Sequence, residues 1–320
     1  MINNKSIYSL LDWIDINKLN WDYLSVNKYA INLLEENIEK INWYNLSFNH
    51  HAIKLLEENK DKINPTAINI IDQIDKYISI DNLAANINGI NLLLKYNNEL
   101  DNINWYYLSK NPNAIDFLKK NEKYIDWSML SLNINGIELL KKNQNKIDWS
   151  NLSENQNAIE LLTHNKNKID WSRLSLNPNA IELLKKNQDK INWSNLSSNP
   201  NAIELLKNNQ DKIKWSYLSL NINAIELLKK NQDKINWHNL CKNKNAIELL
   251  KNNQDKISWS SISFNPSIFK LDYYKMKNNF KLLNEELSEY VLNPDRIIRL
   301  SKIYNFDFKE YLYILLLEEK

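Results

Sequence analysis

The sequence predicts an all-α solenoid built from tandem copies of one short unit. Three observations carry that expectation: a 22-residue phrase punctuated by tryptophan, a helical hydrophobic pattern inside each copy, and only two glycines in 320 residues. Trp105, Trp127, Trp149, Trp171, Trp193, Trp215, Trp237 and Trp259 lie 22 apart without interruption, and Trp21 and Trp43 keep the same step. A fixed period of this length is the mark of stacked supersecondary units. The period breaks over residues 65–104, where Pro65 and Ile80 stand at Trp-like positions, giving one shortened copy and one copy three residues longer.

With Trp as position 0, the phrase reads W-x-x-L-S-x-N-P-N-A-I-E-L-L-K-K-N-Q-D-K-I-N. The stretch from +6 to +16 carries helix signals at both ends, shown together by Asn177 (N-cap), Pro178 (first helical residue), Glu182 and Asn187. At 100° per residue, Ala +9, Ile +10, Leu +12 and Leu +13 fall within an arc of roughly 160° while Glu +11 points away, so one amphipathic helix of about ten residues is expected. Asn at +16 stands where a helix usually ends at positive φ. Asn143, Asn187 and Asn231 are therefore expected to be left-handed caps that replace glycine. The remainder, from Asp or Asn at +21 through Trp to Ser +4, reads as a capped short helix or 3₁₀ turn with Trp and Leu +3 facing inward.

Neither piece buries its apolar face alone; stacking does. At ~25 cal/mol per Å² and ~200 Å² per indole, each buried Trp contributes up to ~5 kcal/mol before entropy, so a Trp ladder is expected to dominate the core. About eleven units stacked ~8–10 Å apart predict an elongated rod or superhelix on the order of 100 Å long. An open solenoid needs polar ends. Residues 1–20, with Trp13 eight before Trp21, are read as an N-terminal cap, 21–266 as the solenoid, and 267–320 as a helical C-terminal cap. In that last part Asn293 and Pro294 start a helix, with Arg296 either pairing with Glu289 or forming part of a docking site. A leucine-rich-repeat-like solenoid is the alternative, since it shares the period and Asn +6 could form a ladder along it; "I-x-W-x-x-L-S-x-N" does not match its strand motif.

The phrase resembles the tandem-repeat proteins found in large numbers in giant viruses of the mimivirus type. The end of the chain, "LNEELSEYVLNPDRIIRLSKIYNFDFKEYL" (283–312), is similar to that family's closing segment. Glu285, Glu286, Leu287, Pro294 and Arg296 match its E-E-L stretch and Pro-Arg motif, while Asn293 departs from the His expected before the proline. The resemblance implies a viral, AT-rich source and a repeat fold. It supplies no reaction, cofactor or ligand.

Lys+Arg 41 against Asp+Glu 39 leaves a net charge of +2, which gives no global pull toward nucleic acid or an anionic membrane. The longest apolar run, "YLYILLL" (311–317), is far short of the ~20 residues of a membrane span, and no signal-type apolar region follows the first residues, so an intracellular protein of host cytoplasm or virion is expected. Cys241 is alone and stands where other copies carry Ser. His50, His51, His164 and His238 match no metal spacing, and no cofactor is expected. No phosphate-cradling glycine loop or catalytic motif occurs, and Glu +11 recurs in copy after copy where catalysis needs one special site, so the chain is read as no enzyme.

Lys at +14, often +15, and +19 could align as a basic stripe for RNA or phosphates, but it is monotonous and interleaved with Glu; a self-assembling structural component is the other alternative. Specificity is expected instead at the positions that vary. At +2 the copies carry Tyr107, Met129, Arg173 and Tyr217 among others; at +5, Leu132, Leu176, Leu220 and Phe264 recur every 44 residues between polar residues. These eight residues are the candidate surface for a protein partner, the alternation being either a spaced row of anchors or the relic of a duplicated two-unit block.

Overall fold

The computed structural model describes residues 8–62, 78–96, 103–277, 288–290, 293 and 295–299. The chain forms two compact units, Leu10–Phe269 and one made of Met1–Ser9 with Lys270–Lys320. The larger is an all-α solenoid of neighbouring helices. The strands among the described residues are short: β1 (Tyr8–Leu10) and β2 (Phe269–Leu271), paired as a two-stranded sheet.

Each copy begins with a capped short helix. The residue before Trp takes an extended conformation and its side-chain oxygen accepts the N–H at +2, as Asp126 does from Met129 (2.9 Å) and Asn192 from Asn195 (3.1 Å). Helices such as Trp127–Leu132 and Trp171–Leu174 follow. They stop at Asn +6, where the backbone is extended again (Asn177, φ −73°, ψ 114°) and the Asn oxygen accepts the N–H at +8. A turn or 3₁₀ piece intervenes before the longer helix, so the expected ten-residue helix is divided: Pro178–Ala180 is 3₁₀ and Ile181–Lys185 is α.

The helix end corrects the expected left-handed caps. Asn143, Asn187 and Asn231 have φ of −127°, −137° and −135°, so none is left-handed. Each instead donates its side-chain amide to the carbonyl four residues back, Leu139 (3.1 Å), Leu183 (2.8 Å) and Leu227 (2.9 Å). Those carbonyls are among the orphans of a helix C-terminus. A side-chain amide therefore does here what glycine's backbone freedom does elsewhere, and the scarcity of glycine follows.

The core is aliphatic. Leu +3, Ala +9 and Leu +13 are fully buried from unit to unit (Leu174, Ala180, Leu184), with Ile +20 nearly so. Trp is not the centre of it: apart from Trp43 the repeat tryptophans are half-buried, and the Lys at +19 of the same unit lies over the indole face, as Lys146 does on Trp127 (4.4 Å) and Lys190 on Trp171 (4.8 Å). The expected Trp-dominated interior is thus replaced by a leucine interior edged with cation–π pairs.

Units are joined by asparagine. The amide of Asn +6, itself buried, donates to the carbonyls of +4 and +6 in the preceding unit: Asn177 to Ser153 (3.1 Å) and Asn155 (2.8 Å). The ladder weighed for a leucine-rich repeat exists, on helices. The Ser +4 hydroxyl donates to the Trp carbonyl and accepts the N–H that opens the next short helix, Ser175 from Asn192 (3.1 Å). In the irregular stretch, Ile80–Ala85 is a short helix in the Trp-led position, and its unit stacks directly on the Trp43 unit through Ser79 N–H to Ser47 Oγ (2.9 Å) and Asn86 to Ser47 O (3.0 Å). The shortened copy expected from Pro65 lies outside the described residues.

The ladder has no ends. Asn27, in the first unit, donates to Ser263 O (3.0 Å) and Asn265 O (3.1 Å) of the last, and Asn20 N–H reaches Ser263 Oγ (2.9 Å). The Leu10–Phe269 unit is therefore a closed ring, which overturns the expected elongated rod. Eleven Trp-led or Ile80-led short helices stand around it among the described residues. The last copy is composite: Trp259–Ser263 and Pro266–Ile268 supply its first half, and residues 16–20 its second. Ile16–Lys18 is the 3₁₀ turn, Lys18 lies over Trp259 (5.1 Å) as Lys +19 does elsewhere, and Leu19 is buried like Ile +20. Residues read as a cap thus complete the circle.

Eleven units around a circle turn about 33° each, which widens the spacing by about 5 Å across layers ~9 Å apart. Trp-led helices of neighbouring units pack directly on one another, whereas the longer helices reach their neighbours with long side chains, as Lys141 does to Glu160 (3.4 Å). The Trp-led helices therefore line the inner side and the longer helices the outer.

In the smaller unit, Asn293 Oδ1 accepts Arg296 N–H (3.1 Å), the expected cap. Arg296 stacks on the Tyr290 ring (4.1 Å) and donates to the Tyr290 carbonyl (3.4 Å), where pairing with Glu289 was one of the two expected roles.

Candidate functional site

The +2 and +5 positions share one side of each short helix, three residues apart, with Leu +3 turned into the core. The ring places +2 of one unit beside +5 of the unit before it. Arg173 pairs with Glu154 (3.2 Å), and Tyr23 stacks on Phe264 across the closure, with ring centroids 4.1 Å apart and planes at 26°. The two variable positions are therefore one row of cross-unit pairs.

Of the expected partner-binding residues, Tyr217 and Leu220 are exposed, at 46% and 36%. Tyr107, Met129, Leu132, Leu176 and Phe264 are half-buried. Arg173 is half-buried and already paired. Where +2 is Asn it is a rung: Asn151, Asn195 and Asn239 donate to the carbonyls of Ser128 (3.0 Å), Ser172 (2.9 Å) and Ser216 (2.9 Å). Each of those rungs follows a unit whose +5 is Leu132, Leu176 or Leu220, so the 44-residue alternation is a pairing of an apolar +5 with an amide +2 at every second junction.

Sequence reasoning missed the exposed apolar residues at +1 and +7. Tyr106 is 49% and Ile134 42% exposed, and Tyr106 meets Tyr107 edge to face at 5.3 Å. Position +1 is Ser in most copies and +7 is Pro in several, and the departures from that pattern were the available signal. Position +8 was also passed over. Asn179 and Asn201 donate to the carbonyls of Gln156 and Pro178 (both 2.9 Å), forming a second, exposed ladder.

The charge pattern divides the molecule. In five successive units the stretches from Trp to +8 (127–135, 149–157, 171–179, 193–201 and 215–223) contain only Glu154 and Arg173 as charged residues, and these neutralise each other. Asp126, Asp148, Asp170 and Lys214 stand just before the Trp-led helices, and the outer helices and 3₁₀ turns hold the rest. Lys +14 pairs there with Glu +11, as Lys185 with Glu182 (2.7 Å) and Lys229 with Glu226 (2.9 Å), and those lysines hold both carboxylates below the usual range. Of the stripe weighed as an alternative for phosphates, Lys +14 is engaged by Glu and Lys +19 by Trp.

His50 and His51 lie side by side (4.6 Å), and His51 meets Tyr29 edge-on. Burial, then the neighbouring His50 and Lys28, push the His51 imidazole below its ordinary value. Among the described residues no group of three or more His, Cys, Asp or Glu is placed to hold a metal ion. No helix among them is long and apolar enough to cross a membrane. Cys241 is buried in the Ser +4 position, where burial raises its thiol against a bond from the Ser258 N–H. No protein family, curated protein or solved structure matches the chain.

Proposed function

We propose that the ring is a non-enzymatic scaffold for protein–protein interaction, and that its partner is a protein presenting an uncharged, apolar segment to the inner face. The observation that carries this reading is the near-absence of charge from the short-helix face over five units, beside exposed Tyr217, Leu220 and Ile134. A solvated face with no partner has no need to shed charge, and exposed apolar side chains set among uncharged polar groups are what docking surfaces share. Tyr and Leu anchors on short, doubly laddered helices lose little entropy on binding.

The resemblance to mimivirus-type repeat proteins supports placing the partner among host or viral proteins, in host cytoplasm or virion. RNA is the poorer fit, since Lys +14 and Lys +19 are already engaged. The test is capture from infected-cell extract by the parent ring and by Leu176→Asp/Leu220→Asp. Leu220 is exposed and Leu176 half-buried, neither in the core, so the variant is expected to fold and to lose the partner. Undiminished capture overturns the reading, and capture of nucleic acid that falls steeply with salt replaces it with the phosphate one.

A further inference from the structure

The junction that closes the ring uses the same atoms as regular interior junctions such as the one into the Trp193 unit. Asn27 gives its amide to the +4 and +6 carbonyls, Asn20 its N–H to the Ser +4 hydroxyl, and Lys18 covers Trp259. It differs in two respects. Its partners lie 236 to 243 residues apart in the chain, so no short tether holds them together. It also lacks two rungs. The interior junction into the Trp193 unit adds Asn195 to Ser172 O and Asn201 to Pro178 O, both 2.9 Å, whereas the closing junction has Tyr23 and Tyr29 at those positions, and a tyrosine cannot supply the amide. Leu11 N–H to Ile268 O (2.9 Å) and the Tyr23–Phe264 stack stand there instead.

We propose that this seam is a self-association site: the face of the Trp259 unit takes residues 10–27 of a second copy, joining opened copies head to tail. When the seam parts, one end presents the Ser263 and Asn265 carbonyls and an uncovered Trp259, and the other presents Asn27, Asn20 and Lys18. Each end fits the other whether it belongs to the same chain or to the next. The contact is heterologous, so copies joined through it with a small tilt extend as a helical filament of about eleven units per turn, while the untilted contact closes the ring. Closure within one chain prevails at low concentration, because the two ends see each other at an effective concentration of roughly millimolar. Exchange therefore needs unfolding or crowding. This inference is independent of the uncharged inner face, whose residues it does not use apart from the Tyr23–Phe264 pair.

The test mixes two differently tagged full-length chains in denaturant and refolds them together at about 1 μM and about 500 μM, below and near that effective concentration. Capture through one tag is expected to bring down the other only from the concentrated sample, with mixed species surviving dilution. Asn27→Asp keeps the oxygen that caps Tyr29 N–H (3.2 Å) but turns a second oxygen on the Ser263 and Asn265 carbonyls. It is expected to cut the mixed species at least about tenfold. Tyr23→Ser, which removes only the stack, serves if Asn27→Asp does not fold, with a smaller loss expected. Monomer at both concentrations, or mixed species undiminished in whichever variant folds, overturns the proposal.

Discussion

The side-chain amide of Asn27 lies 3.0 Å from the carbonyl oxygen of Ser263 and 3.1 Å from that of Asn265, and these bonds convert a row of repeats into a circle. An open solenoid exposes the apolar face of its last unit and needs a polar cap. Here Leu24, Ile262 and Ile268 are all fully buried, because each end serves as the other's cap. The closed form also confines the difference between inner and outer faces, so that charge can be spent on solubility outside while the inner face stays neutral. That division is what the proposed partner would read.

The first prediction concerns the buried ladder. Asn177→Leu keeps the volume but strips the donor from two buried carbonyls, Ser153 O and Asn155 O, and the acceptor from Asn179 N–H. Unsatisfied buried groups cost about 1–3 kcal/mol each, so a loss of about 2–4 kcal/mol is expected after relaxation. Asn179→Ala removes one exposed bond, to Gln156 O, and is expected to cost about 0.5–1 kcal/mol. Denaturant unfolding of the two variants checks the order; equal losses would contradict a structural role specific to the buried row.

Much of this was legible in the sequence. Trp at a 22-residue step, Asn +6 followed by Pro, and Leu +3 with Leu +13 identify the unit, its caps and its core from local chemistry alone. Closure was less visible, because it depends on the sum of about 33° per unit, and no single copy encodes that angle in its hydrophobic pattern. A signal did exist. The residues "INKLN" before Trp21 match the end of the phrase, "QDKIN", and the last copy keeps its phrase only to Ile268, at +9, so the two termini are complementary halves of one unit. The Asn +16 caps misled for a different reason. Asn tolerates the left-handed region, but its amide can also bond the i−4 carbonyl directly, and residue type alone does not separate the two. The partner surface was half legible: variation flagged +2 and +5, while their pairing across units required the ring.

The second prediction tests the edge of the core. Lys190→Met keeps an apolar stem over Trp171 and removes the ammonium 4.8 Å from its ring, so a loss of about 0.5–1 kcal/mol is expected. Lys190→Tyr is expected to recover it, since Tyr124 already takes this position in the Trp105 unit, stacked at 4.7 Å and 11°. A Tyr variant no more stable than the Met variant would show that contact area, not the ring's partner, decides.

The third concerns acid. Burial raises the Asp148 carboxyl, but bonds from the Ser128 hydroxyl and the N–H groups of Asn151 and Ser150, with the Arg173 charge, reverse it and leave the group below its usual value. Asp170 is lowered in the same way, with Ser150 as its hydroxyl donor. A carboxylate depressed on folding contributes stability that is complete above the unfolded value near 4 and is lost as pH falls through the folded one. Asp148→Asn/Asp170→Asn folds with the cap that Asn192 and Asn236 already use. Its deficit relative to the parent is expected at pH 6 and should shrink as pH falls through the depressed range of the two folded carboxyls; a deficit independent of pH would remove the assignment.

The last concerns where the ring opens first. Local stability follows the bonds and contacts that must break together; the seam lacks the two exposed amide rungs of the junction into the Trp193 unit, with only the Leu11–Ile268 bond and the Tyr23–Phe264 stack in their place, and no short stretch of chain tethers its two lips. Asn27 N–H and Ala30 N–H bond within their own unit, as Asn199 N–H and Ala202 N–H do within theirs, so exchange at each pair reports opening of the junction above it rather than a difference in the local bond. Faster hydrogen exchange is therefore expected at Asn27 and Ala30, and at Asn265 on the opposite lip, than at Asn199 and Ala202. Replacing Tyr29 by Asn offers an amide to the Pro266 carbonyl, in the geometry Asn201 uses on Pro178, and should slow exchange on both lips together. If protection is uniform around the circle, or if Tyr29→Asn slows only its own unit, the seam is no weaker than its neighbours, and head-to-tail joining has no preferred point at which to begin.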